Sequence, residues 1–117
     1  MMAQKYAPHI SLAVMFKEDK MEFILFIHKN TDQNTTSEQW ESFFNSANES
    51  GIFLGGNEIA SQIRKGKKSV STITYSIGGF MRFEAENENL VLELLEKHPV
   101  FVQGGTLELC EMTKSKN

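Results

Sequence analysis

Cysteine and proline are scarce in this chain of 117 residues, which contains one cysteine and two prolines. A single cysteine, Cys110, cannot form an internal disulfide bond, so the sequence predicts a protein of a reducing compartment, and we expect the cytoplasm. An excess of positive charge is also missing, because the formal net charge is -3. That charge argues against a chain built mainly to cover the phosphates of a nucleic acid.

Long apolar stretches are missing as well, since no run approaches the ~20 residues that cross a bilayer. The short apolar patch at residues 10–16 is followed at once by the charged tetrapeptide Lys17-Glu18-Asp19-Lys20. Small residues would stand there after a signal peptide, so we expect neither a signal peptide nor a membrane partner. The three histidines show no spacing typical of metal ligands, and the sequence predicts no metal and no cofactor.

What remains is an ordinary globular composition, with 40% hydrophobic and 23% charged residues. A chain of this length suits one domain. We divide it into an N-terminal extension at residues 1–20, one folded domain at residues 21–113 and a polar tail at residues 114–117.

Two amphipathic helices are predicted from the spacing of apolar residues. The first covers residues 37–49, with a capping box offered by Thr35 or by Thr36 and a left-handed C-terminal cap at Gly51. The second covers about residues 87–97 and is stopped by the proline that follows.

Residues typical of β-strands fill the remaining segments. The predicted strands are residues 21–28, residues 52–54 with a continuation through residues 59–63, residues 70–85, and residues 106–112. A hairpin turn at residues 65–68 would join the middle two strands. The resulting order, β-α-β-β-α-β, is the ferredoxin-like split motif, an α+β fold with its helices on one face of an antiparallel sheet.

Both faces of the first strand carry apolar side chains. Because strand side chains alternate, the two predicted faces are Phe23, Leu25 and Ile27 on one side and Ile24, Phe26 and His28 on the other. Helices can cover only one of these faces. The sequence therefore predicts a homodimer in which two sheets stack and enclose a barrel-like interior.

Charged and aromatic residues are predicted to point into that interior. Arg82 and Glu84 share one face of the third strand, and Glu108 on the last strand is the expected partner of Arg82, since buried charges need partners. His28 is the acid/base candidate, because histidine is the side chain that titrates near neutrality. The alternative is structural: a strand-end histidine bonded to the following loop, and charges that pair across the dimer.

A possible small-molecule ligand would contact five residues on the strands. These predicted ligand-binding residues are Arg82, Phe26, Phe80, Gly55 and Gly56. The glycine pair Gly55-Gly56 indicates a bulge, or a point where another backbone or a ligand comes close. The basic run at residues 64–68 lacks the aromatic signature of an RNA-binding sheet, so we interpret it as a solvated hairpin.

Several of these segments together resemble the YCII-related proteins, in particular the subgroup named for a DGPF motif. The similar segments are residues 22–27, residues 51–56 (GIFLGG), residues 77–80 (IGGF), His98-Pro99, and residues 104–109 (GGTLEL). The resemblance implies a dimeric α+β barrel with a pocket between the sheets. The chain departs from the family in two places: residues 69–76 contain no Asp-Gly-Pro-Phe sequence, and residues 37–41 contain no histidine at the start of the first helix.

Two functions follow from these observations, and the sequence leaves both open. The first is a homodimeric small-molecule-binding or non-catalytic module, which the two departures favour. The second is a small isomerase, lyase or hydrolase-like enzyme that uses His28 with Glu84 or Glu108 as acid/base groups.

Overall fold

The structure is a computed structural model that describes residues 20–70 and 76–114. Its elements are β1 (Met21–His28), α1 (Ser37–Ser50), β2 (Phe53–Glu58), β3 (Ile77–Ala85), α2 (Glu88–Leu95), α3 (Pro99–Val102) and β4 (Leu107–Met112). The strands form one sheet in the order β2-β3-β1-β4, and every neighbouring pair is antiparallel. The predicted α+β class is thereby confirmed as a four-stranded antiparallel sheet with helices.

Helix α1 begins and ends where local signals indicate. Thr36 is the N-cap, its hydroxyl accepts from the backbone N–H of Gln39, and the Gln39 side chain returns a bond to the backbone N–H of Thr36. Of the two predicted capping boxes, this is the one that forms. Gly51 closes the helix with a φ of 75°, the left-handed conformation that glycine adopts without strain.

The core lies between the helices and one face of the sheet. Phe23 and Leu25 of β1 and Phe83 of β3 are fully buried there. They meet a helical layer, whose buried residues are Phe43 and Ala47 of α1 with Val91, Leu94 and Leu95 of α2. The predicted alternation of β1 and β3 is confirmed, because these buried residues alternate with partly exposed ones.

The sequence does not predict helix α3, because a proline after a helix indicates only that the helix stops. Proline suits the first position of a helix, where its missing N–H has no intrahelical partner. His98 precedes it with extended backbone, and its Nδ1 accepts from the backbone N–H of Val100 at 3.1 Å. The same dipeptide therefore ends one helical segment and begins the next.

The middle of the chain corrects three predictions. Strand β2 runs through the glycine pair and ends at Glu58, so its predicted continuation through residues 59–63 is wrong. Residues 59–70 form no strand, and the predicted hairpin turn at residues 65–68 has no strands on either side. The third strand begins at Ile77 rather than at residue 70. The pairing of β2 with β3 ends at Glu58 and Gly79.

Parts of other predictions lie outside the described residues: residues 1–19 of the extension, residues 71–75 of the third strand, and residues 115–117 of the tail. Within the two described ranges, none of the helices has the length and apolarity to span a membrane.

Candidate functional site

The last residue of one strand lies beside the first residues of two others, at one end of the sheet. Strand β1 lies between β3 and β4 and is antiparallel to both, so the end of β1 adjoins the starts of its two neighbours. The residues at those points are His28, Ser76 and Glu108, and we call them the His28 cluster.

Both ring nitrogens of His28 are bonded within this cluster. Its Nδ1 lies 2.7 Å from the hydroxyl oxygen of Ser76, and its Nε2 lies 3.0 Å from Oε1 of Glu108. The residue is only 7% exposed, whereas the Glu108 side chain is 55% exposed. The predicted pairing of His28 with Glu108 is thus present in the geometry, and Ser76 is an additional partner.

Backbone and side-chain bonds fix the loops that carry the His28 cluster. The N–H of His28 donates to the carbonyl of Thr106 at 3.1 Å, and the N–H of Lys29 donates to the carbonyl of Ser76 at 2.6 Å. The Asn30 side chain bonds both the hydroxyl and the backbone N–H of Thr106, each at 2.9 Å. The imidazole is therefore held by the sheet as well as by its own two bonds.

Apolar side chains adjoin the cluster on the face of the sheet that is opposite the helices, which we call the open face. Phe26 is the cross-strand partner of both Phe80 and Glu108. Ile24 is the next residue of β1 on this face and is opposite Arg82 and Cys110. The open face thus has a partly buried apolar centre, Ile24, Phe26 and Phe80, with polar groups around it.

The predicted ion pair between Arg82 and Glu108 is wrong. Arg82 lies 3.8 Å from Glu22 of β1, and both side chains are partly exposed, at 48% and 35%. A pair of this kind contributes only about 0–1 kcal/mol to stability. The reason is position along the sheet: Glu108 is level with Phe26, whereas Arg82 is level with Ile24.

Glu84 is separated from the His28 cluster. It pairs with Glu22 near the other end of β1, whereas His28 pairs with Ile77. These two points are seven residue steps apart along β3, or about 23 Å at the usual rise of ~3.3 Å per residue. Among the described residues, Glu84 forms no ion pair. The structure therefore brings together His28 and Glu108 but not His28 and Glu84.

The glycine pair has a structural role. A bulge between Phe53 and Gly55 interrupts the pairing of β2 with β3, and Gly55 adopts a φ of 108°. A Cβ on Gly56 would overlap the backbone carbonyl oxygen of Phe80. The predicted bulge is confirmed, and the backbone that comes close is that of β3.

One depression lies in the helical layer rather than at the cluster. It has a volume of about 450 Å³ and is open to solvent, and its lining residues are Ser50, Ile52, Leu90, Glu93, Leu94 and Lys97. As for metals, no group of three or more histidine, cysteine, aspartate or glutamate side chains is placed to hold an ion in residues 20–70 and 76–114.

A second buried histidine lies in the helical layer and not in the His28 cluster. His98 is fully buried, with its ring 5.0 Å from that of Trp40 and 4.7 Å from that of Phe43. Burial lowers the pKa of His98 to about 4. Its Nδ1 caps α3, and its buried Nε2 has no hydrogen-bond partner among the described residues. His98 therefore stays neutral near pH 7 as part of the core.

Ser76 belongs to no motif, and the sequence predicts it to lie within a continuous strand. The signal that could have revealed it is topological. Any residue just before a strand antiparallel to β1 lies near the end of β1, so a polar residue there is within reach of His28.

The fold and the site define a small α+β domain that has a histidine-carboxylate pair on its open face, at one end of the strands. The chain matches no protein-family model and no curated protein. Among solved structures, it is similar to the crystal structure of the protein At3g17210 from Arabidopsis thaliana, with 12% identity and a TM-score of 0.40. The alignment covers 83% of this chain and 97% of that one. A likeness of this strength carries no argument about function.

Proposed function

We propose that the chain is a YCII-related domain of ferredoxin-like topology that forms a homodimer through its open face. In this proposal two stacked sheets enclose a barrel-like interior, and a small molecule binds there. The protein would act as a cytoplasmic module that binds a small molecule. The observation that carries the proposal is the apolar centre of the open face, Ile24, Phe26 and Phe80, which lies on the side of the sheet opposite the helices.

A second copy of the same sheet is the occupant that suits this face best. The apolar centre is flanked by Glu22 and Glu108 and by the cation of Arg82, so the face carries charges of both signs. A surface of that kind can be complementary to itself about a twofold axis, as a symmetric dimer requires. The pairing would also complete the burial of the aromatic side chains, at about 25 cal/mol for each Å² of apolar surface removed from water.

Binding is favoured over catalysis by what the chain lacks relative to the family that it resembles. The Asp-Gly-Pro-Phe sequence and the helical histidine are both missing. An interior lined by Phe26 and Phe80 suits an apolar or aromatic ligand, and Glu108 and Arg82 would meet its polar groups.

Sedimentation velocity at micromolar concentration tests the dimer. We expect a dimer for the wild type and a folded monomer for Phe80→Lys, because a charge at the centre of the face would be buried without a partner. Phe101→Lys is the matched control, since Phe101 lies on α3 in the helical layer and is already 47% exposed. A wild-type monomer, or dimers that persist equally in both variants, would contradict the proposal.

A second candidate function is supported by the geometry of His28 and Glu108. A histidine within 3.0 Å of a carboxylate is a general acid/base in a fixed orientation. In this enzyme Glu108 is the carboxylate that acts with His28, because Glu84 lies too far away to take part. Any turnover that depends on this pair should be lost in Glu108→Gln and retained in Glu84→Gln, and the reverse result would exclude it.

A further inference from the structure

The arrangement around His28 joins a hydroxyl, an imidazole and a carboxylate in sequence. The Ser76 oxygen lies 2.7 Å from Nδ1, and the Glu108 oxygen lies 3.0 Å from Nε2 of the same ring. Each of the three residues comes from a different strand or the turn beside it, and the sheet fixes the spacing between them.

The tautomer of His28 follows from its partners. An ionised carboxylate can only accept hydrogen bonds, so Glu108 requires the proton of the neutral ring to be on Nε2. Nδ1 then carries a lone pair and accepts from the Ser76 hydroxyl. This is the protonation state in which a histidine can take a proton from a serine while a carboxylate stabilises the imidazolium that forms.

We propose that Ser76 is a nucleophile, that His28 is its general base and that Glu108 is a positioning residue, and that the chain cleaves small esters with an apolar acyl group. The apolar preference follows from Phe26, which is opposite both Glu108 and Phe80.

The reaction is balanced with water as its co-reactant. The Ser76 oxygen forms a bond to the acyl carbon while its proton moves to Nδ1 of His28. The bond from the acyl carbon to the ester oxygen breaks, and that oxygen takes the proton and leaves as an alcohol. Water then attacks the acyl carbon and gives its proton to His28, which returns it to the Ser76 oxygen as the carboxylic acid departs.

This activity goes beyond the proposed binding role. It uses side chains of one chain only, so it does not depend on whether two sheets pair. A failure of the dimer prediction and a failure of this one are therefore distinguishable, because sedimentation reports the first and chemical labelling reports the second.

Labelling with an alkyl fluorophosphonate, followed by peptide mass spectrometry, tests the nucleophile. We expect the wild type to be modified at Ser76 and the Ser76→Ala variant to remain unmodified. His28→Asn should slow the labelling about 100-fold or more, the scale of a lost general base. Circular dichroism of each variant verifies the fold. A wild type that is not labelled at Ser76, or His28→Asn labelled at the wild-type rate, would overturn the proposal.

A thiol in place of the hydroxyl gives a second measurement that a merely structural role would not alter. In a Cys110→Ala background, the Ser76→Cys thiol should react with iodoacetamide at lower pH than a reference thiol, because a neighbouring imidazole favours the thiolate. Ser42→Cys, on an exposed position of α1, is the reference. Adding His28→Asn should remove the difference. Identical pH profiles for the two thiols would contradict the assignment of His28 as a base.

Discussion

Acidification should destabilise this protein through His98, which belongs to the buried core and not to the His28 cluster. Burial lowers the pKa of His98 to about 4, against 6.5 for an unperturbed histidine. Below pH 6.5 the unfolded chain therefore binds a proton that the folded chain does not. The stability that depends on neutral His98 is complete above pH 6.5 and is lost as the pH falls toward 4.

The size of this loss of stability follows from the difference between the two pKa values of His98. At about 1.4 kcal/mol per pH unit, the complete loss is about 3 kcal/mol, and about 2 kcal/mol of it is reached at pH 5. The structure supplies the reason. The ring is packed between Trp40 and Phe43, and protonation would also turn the Nδ1 acceptor into a donor facing the N–H of Val100. Protonation would therefore remove the N-terminal cap of α3 and place a charge in the core.

Urea denaturation at pH 7 and at pH 5, monitored by circular dichroism, measures this loss. In His98→Asn the side-chain oxygen can still cap α3 but does not titrate, so the difference between the two pH values should shrink by about 2 kcal/mol. Val100→Ala is the control: it removes buried methyl groups from the same region and should lower stability by a similar amount at both pH values. If the wild type and His98→Asn lose equal stability between pH 7 and pH 5, the burial argument is wrong.

Two further predictions concern stability at pH 7, measured by the same method. Gly56→Ala should cost about 2 kcal/mol or more, because its Cβ would overlap the Phe80 carbonyl oxygen, while Gly66→Ala, with nothing within 4 Å, should stay within about 0.5 kcal/mol. Trp40→Ala should cost about 3 kcal/mol through lost aromatic packing, while the exposed Lys67→Ala should be nearly silent. Equal losses within either pair would show that the packing is misassigned.

Local signals were sufficient for the first helix and the first strand. The capping box at Thr36, the apolar spacing from Trp40 and the left-handed Gly51 act within a few residues of one another, so the bounds of α1 could be predicted almost to the residue. The alternation of β1 is equally local. Because side chains alternate along a strand, the sequence predicts that Phe23 and Leu25 share one face, and both are buried under the helices.

Non-local pairing explains where the predictions fail. Residues 59–63 and residue 70 have strand-like composition, but a strand needs a partner, and the pairing of β2 with β3 ends at Glu58 and Gly79. The partner of Arg82 could not be predicted for a similar reason. Three strands place carboxylates on the open face, and only the register decides that Glu22 is near Arg82.

His28 shows how much of a site can be inferred from topology before any geometry is known. Alternation along β1 placed it on the open face, and the order of strands placed the starts of β3 and β4 beside it. What the sequence did not contain is the shift in register between Ile27 and His28, which pairs His28 with Ile77 rather than with Gly78. That shift brings the imidazole next to the residue before β3, so Ser76, which has no motif of its own, becomes a partner. No motif marks such a residue, whereas its position just before a strand that is adjacent and antiparallel to β1 does.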